Sequence, residues 1–116
     1  MTADDKDSFG SLLRAARLRA GFTSIHAFAD ALAAHGLAYT DDAIGHWEND
    51  RRRPPRDALL PALELLAQRS GITHLAQISR MLWLLDLRDL DDDERHTHFP
   101  TLLRASFADN LPPHPG

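Results

Sequence analysis

The sequence predicts an all-α fold: five helices followed by a short C-terminal extension. Three observations carry that prediction. Apolar residues recur at three- and four-residue intervals through five successive segments. Most of those segments open on Ser, Thr or Asp and close on Gly or Pro, residues that cap and stop helices. No alternating strand pattern and no internal repeat interrupts them. At 116 residues the natural division is one domain plus tails. A chain of that size buries a core without disulfides or a structural metal, and it contains no cysteine.

"FGSLLRAARLRAGF" forms the first expected helix, capped by Ser8. Phe9, Leu12, Leu13, Ala16 and Ala20 make its apolar stripe, and Gly21 stops it. "TSIHAFADALAAHG" is the second, capped by Thr23 or Ser24, with Ile25, Phe28, Ala29 and Leu32 inward and Gly36 at its end. "TDDAIGHWENDRRRPP", residues 40–55, contains the third. Thr40 supplies the cap, and Asp41 and Asp42 stand at the positive end of the helix dipole. Ile44 and Trp47 share the inward face, Asn49 and Asp50 close the helix, and Pro54 and Pro55 prevent its continuation. "DALLPALELLAQRSG" is the fourth, with Asp57 as cap, Gly71 as stop and Pro61 placed in its first turn. "THLAQISRMLWLLDL" is the fifth, with Leu75, Ile78, Leu82 and Leu85 on one face. Met81, Trp83 and Leu84 extend its apolar surface, so it packs under the C-terminal segment or meets a partner. One short helix between Leu90 and Phe99 and a mobile Pro-rich tail complete the chain. The expected divisions are an acidic N-terminus over 1–8, a helical domain over 9–86 and an extension over 87–116.

Charge is distributed unevenly. The net charge is −4, which argues against a generic polyanion binder. Residues 9–56 nevertheless hold seven arginines against five acids, whereas residues 57–116 hold five arginines against nine acids. The basic excess lies where the second and third helices are followed by Arg51, Arg52 and Arg53. Two short helices, a compact turn and a basic loop are the parts of a helix-turn-helix, in which the second helix enters the major groove.

Here the chain resembles the Cro and lambda-repressor type of helix-turn-helix, the xenobiotic-response-element (XRE) family. The resemblance rests on Arg17, on Gly21-Phe22-Thr23, on Phe28-Ala29 with Leu32, and above all on residues 40–55 with their Trp47-Glu48-Asn49 run. It covers about residues 9–86. It implies a five-helix lambda-repressor-like domain that binds double-stranded DNA as a transcription regulator, most often a dimeric repressor, in the cytoplasm of a prokaryotic or phage system. Asp41, Asp42, Gly45 and His46 would face base edges. Thr23, Ser24, Thr40, Asn49, Arg51, Arg52 and Arg53 would meet phosphates, and Arg17 and Glu48 would form a structural ion pair. The homodimer would use helix 73–86 or the extension. Three departures stand out: a longer turn after Leu32, expected to add a turn to the second helix; Ser24 at a position often held by glutamine; and two aspartates on the groove face. An aspartate can accept from a cytosine amino group, or can serve only to cap the helix and complement its dipole.

The alternative is a helix-turn-helix-fold protein-interaction module that does not read DNA, using the Asp41–Asp42 face for a basic partner. Other functions find little purchase. His96 and His98 beside Asp91 to Glu94 lack metal-ligand spacing, so no metal is expected and the acidic segment reads as a solvated linker. No nucleophile, base and orienting group occur together, and no Gly-rich phosphate loop is present, so neither catalysis nor a cofactor is expected. "MTADDKDS" is no secretory signal, and no apolar run approaches the roughly 20 residues of a membrane span.

Overall fold

The computed structural model describes residues 8–110, and the side chains of residues 8–105. Among these residues it is all-α, with seven helices and no strand: α1 (Phe9–Arg19), α2 (Ile25–Ala34), α3 (Asp41–Glu48), α4 (Arg56–Gln68), α5 (Leu75–Leu84), α6 (Asp92–His98) and α7 (Pro100–Asn110). The first five lie where the periodicity puts them. Residues 1–8 and the Pro-rich tail from Leu111 fall, apart from Ser8, outside the described residues.

Local chemistry sets the boundaries. The hydroxyls of Ser8, Ser24 and Thr40 accept from the amides of Ser11, Ala27 and Ala43, so each relieves one unpaired N–H of a first turn. Ser24, not Thr23, caps α2. All of α1 to α5 end in one geometry. The residue after the cap is left-handed, and the next amide reaches back five residues, as Phe22 does to the Arg17 carbonyl and Leu87 to that of Leu82. The left-handed positions are Gly21, Gly36, Asp50, Ser70 and Asp86. After α4 the role expected of Gly71 therefore falls to Ser70. Gly71 serves close packing, because a Cβ there would overlap the Ala16 carbonyl of α1.

Three further expectations are corrected. Asp57 does not cap α4; the helix begins at Arg56 after Pro55, and Asp57 lies in its first turn. Pro61 is the sixth residue of α4, beyond the first turn, so its missing N–H removes an intrahelical bond. The helix continues through it because Leu59, Leu60, Leu63, Leu65 and Leu66 are all buried. Finally, the segment after Phe99 is helical. Pro100 stands at the first helical position, where a fixed φ favours starting a helix.

The helices close around one core. α1 packs on α3 and α5, α2 on α3, α4 on α6, and α7 on α5 and α6. Phe28, Leu32, Ile44, Leu63, Leu66, Ile78 and Leu82 are wholly buried at its centre. Leu90, Phe99 and Leu102 join the same cluster, so the extension is continuous with the rest. Of the apolar surface that was to pack under the extension or meet a partner, Met81 is buried and Leu84 packs partly buried on the same core as the extension, and α5 meets both α1 and α7. Met81 lies beside Leu12 and Ala16 of α1, and Leu84 beside Phe9. Trp83 is 71% exposed. Among the described residues no helix is long and apolar enough to cross a membrane.

Candidate nucleic-acid interface

α3 divides cleanly into two faces. Ile44, Trp47 and Glu48 are buried. Asp41, Asp42 and Asn49 are exposed, and Gly45 and His46 are half-buried. The exposed positions follow the helical period, so they form one stripe along the helix. The extra length before α3 adds only Ala33 and Ala34 to α2, less than a full turn. The remaining link, residues 35–40, is tied down by Tyr39, whose ring packs on Trp47 at a centroid distance of 5.1 Å.

Gly45 carries information about that stripe. Glycine inside a helix costs about 1 kcal/mol relative to alanine. A Cβ at Gly45 would meet only the Ile25 side chain, at an ordinary 3.8 Å. Gly10 differs: a Cβ there would collide with the Glu48 carbonyl. The fold therefore requires glycine at 10 and not at 45.

The inner end of α3 is locked to α1. Arg17 Nε donates to Glu48 Oε2 at 2.7 Å, its Nη2 donates to Oε1 at 3.3 Å, and its Nη1 donates to the Phe22 carbonyl at 2.8 Å. Arg17 and Glu48 are 6% and 4% exposed, and every polar atom of the pair is satisfied. Arg14 adds a second cation at 3.3 Å from Glu48. Asn49 donates to the Gly45 carbonyl at 2.9 Å and accepts from Arg14 at 3.5 Å, which leaves part of its amide for a ligand. Asp50 turns inward, accepting from the Gly10 amide at 2.8 Å. An acid at the positive end of α1 is the reason a non-glycine residue holds this left-handed position.

The three consecutive arginines separate. Arg53 donates to the Leu85 carbonyl at 3.2 Å and lies 3.6 Å from Asp86, so it braces the end of α5. Arg51 and Arg52 are exposed, and neither has a side-chain hydrogen bond or ion pair among the described residues. Thr23 is exposed. Ser24 and Thr40 accept from their cap amides, which leaves each hydroxyl hydrogen free to donate.

The two aspartates are unlike. Thr40 makes the cap hydrogen bond of α3, so neither acid does. Asp42 has no partner among the described residues. Asp41 accepts from His26 of α2 at 3.0 Å, and the other nitrogen of that ring lies 3.4 Å from Asp30. His26 therefore holds its proton to a pH above the usual imidazole range. The Asp41 hydrogen bond is the main cause, and the charges of Asp30 and Asp41 add to it.

Sequence reasoning missed a second latch. Glu94, expected in a solvated linker, accepts from Arg56 Nη2 at 2.7 Å and from Arg56 Nε at 2.8 Å. Arg56 also donates to the Arg88 carbonyl at 2.8 Å, and Arg88 adds 3.0 Å to Glu94. The Arg56 guanidinium holds the Glu94 carboxyl well below the usual carboxylate range. Asp91-x-x-Glu94 forms a capping box at the start of α6, a spacing that was available in the sequence. His96 and His98 diverge: the first donates to the Asp92 carbonyl, the second pairs with Glu64 at 2.7 Å. Among the described residues no cluster of His, Asp or Glu is arranged to hold a metal ion. Compared with protein-family models, with curated proteins and with solved structures, the chain has no match.

Proposed function

We propose that the chain is a sequence-specific double-stranded DNA-binding regulator of the lambda-repressor-like helix-turn-helix type, working as a dimeric repressor in the cytoplasm. The observation that carries this reading is the exposed stripe of α3. It consists of groups with spare hydrogen-bonding capacity around a glycine that the fold itself does not need, and it is followed by Arg51 and Arg52, which have no partner among the described residues. A helix that must approach base edges closely benefits from a missing side chain. Asp41, Asp42, Gly45 and His46 face the bases; Thr23, Ser24, Thr40, Asn49, Arg51 and Arg52 meet phosphates. Arg53 engages Leu85 and Asp86 through Nη1 alone, which leaves its other N–H groups to meet a phosphate. Dimerisation through α5, where Trp83 stands exposed, would bring two such helices to major grooves about 34 Å apart. The rival, a protein-interaction module, draws on Asp42, which has no partner among the described residues, and on the overall negative charge.

The test is selection of bound duplexes from a random pool at near-physiological salt. A palindrome with one-turn half-site spacing is expected. Absence of both enrichment and salt-dependent binding would overturn DNA reading in favour of the rival. Gly45→Ala separates the two roles of the helix: folding stability holds or rises by up to about 1 kcal/mol, while affinity for the enriched duplex falls. Equal affinity in that variant would remove the argument from close approach.

A further inference from the structure

Asp41 stands where a phosphate-lined groove is to be met, yet it is already held. His26 lies in the first turn of α2 and spans the gap to the first turn of α3. Its Nδ1 is 3.0 Å from Asp41 Oδ2 and its Nε2 is 3.4 Å from Asp30 Oδ2. Carboxylate oxygens only accept. A neutral imidazole has one N–H, so it would satisfy one carboxylate and turn a lone pair toward the other. Only the imidazolium hydrogen-bonds Asp41 and at the same time presents positive charge to Asp30.

We infer that His26 is a positioning residue of the DNA surface: as the imidazolium it fixes the Asp41 carboxylate and offsets its charge, leaving Asp41 Oδ1 to accept a base amino group, so that duplex binding is coupled to a proton. This rests on the DNA-reading proposal above. The charged groups that face the ring are Asp30 from α2 and Asp41 from α3, and both favour its protonated form. The folded pKa lies above the ordinary 6.5. The contacts are therefore fully present below that ordinary value and lost as pH rises through the raised one. Loss of the proton leaves Asp41 and its neighbour Asp42 uncompensated on the surface that is to face a polyanion, with Asp30 behind the ring adding to the negative charge. Affinity should then fall with rising pH. All three side chains are largely exposed, so the effect is modest, about threefold between about pH 6 and about pH 8.

Two measurements on the full chain test this. The first is an NMR titration of the His26 ring in wild type and in Asp41→Asn. The midpoint should drop in the variant, and an unchanged midpoint overturns the clamp. The second is affinity for the selected duplex against pH, in wild type, His26→Gln and His26→Lys. Wild type should bind about threefold more weakly at the higher pH, and both variants should lose that slope, the lysine while keeping the tighter binding. His46 shares this surface, so a slope that survives in His26→Gln would assign the proton elsewhere and overturn the inference. A bound duplex with a flat wild-type profile sinks the clamp and spares DNA reading. Failure to bind any duplex at any pH sinks DNA reading, and the coupling with it.

Discussion

Glu48 and Glu94 sit in matching grips, each in the fork of one arginine with a second arginine reaching in from solvent. Arg17 and Arg14 hold the first, Arg56 and Arg88 the second. Their surroundings differ. The Glu48 side chain is fully buried, with Arg17 at 7% exposure, whereas Glu94 and Arg56 keep 16% and 18%. The first latch ties α3 to α1 and so sets the pose of the proposed recognition helix. The second ties α6 and the 88–89 link to α4 and makes no contact with α3. Identical chemistry at two depths teaches that partner count does not set the strength of a latch. What matters is how much water each charge gave up, because that decides what an orphaned partner costs.

Breaking the deeper grip should have the largest effect. Glu48→Ala strands the Arg17 guanidinium in the core and should destabilise the chain by about 3–5 kcal/mol, read as a drop in the urea midpoint. Replacing both partners by apolar residues of similar size should recover much of that loss; a double variant as unstable as the single would contradict the desolvation argument. The shallower latch should give less. Glu94→Gln should lower stability by about 1–2 kcal/mol, since water screens part of the pair. Its pH dependence has a definite sign. The folded pKa of Glu94 is below the ordinary 4.5, so its stabilisation is complete above that value and disappears as pH falls through the depressed one. Wild type should therefore lose stability in acid more steeply than Glu94→Gln, and parallel acid profiles would show the pair to be inert. Duplex binding should survive Glu94→Gln unchanged. The outer arginines should matter least. Arg14→Ala and Arg88→Ala remove exposed cations and should each shift stability by under about 0.5 kcal/mol, an effect that shrinks further in salt.

The same two residues show what was legible in the sequence. Glu48 follows Ile44 and Trp47 on a helix whose period is plain, so its inward direction could be read. Glu94 stands among Asp91, Asp92 and Asp93, where composition suggests solvent and nothing in the period marks one acid as different. Its burial depends on Arg56, 38 residues earlier, a distance no local pattern spans. The five leading helices and the caps Ser8, Ser24 and Thr40 were readable because they depend on neighbours. α7 was hidden by Pro100, which ends a helix as readily as it begins one. On α3, the exposed stripe followed from the resemblance of residues 40–55, with Ile44 and Trp47 placed inward by their spacing. The bond from His26 to Asp41 did not, because it crosses the link between two helices.

The seams of α1 have a consequence for how the chain is made. Arg17 waits 31 residues for Glu48, and Arg19 waits 52 for the Gly71 carbonyl that accepts from its Nε at 3.1 Å. At about 5–20 residues per second, synthesis places Gly71 roughly 3–10 s after Arg19, whereas a helix forms within about a microsecond. For the first roughly 2–6 s of that interval, before Glu48 is made, the first helix carries a guanidinium with no carboxylate, and its apolar stripe lacks full cover throughout. Phe9, Leu13 and Ala16, buried in the finished fold, are then an uncovered apolar surface that a nascent-chain chaperone would bind.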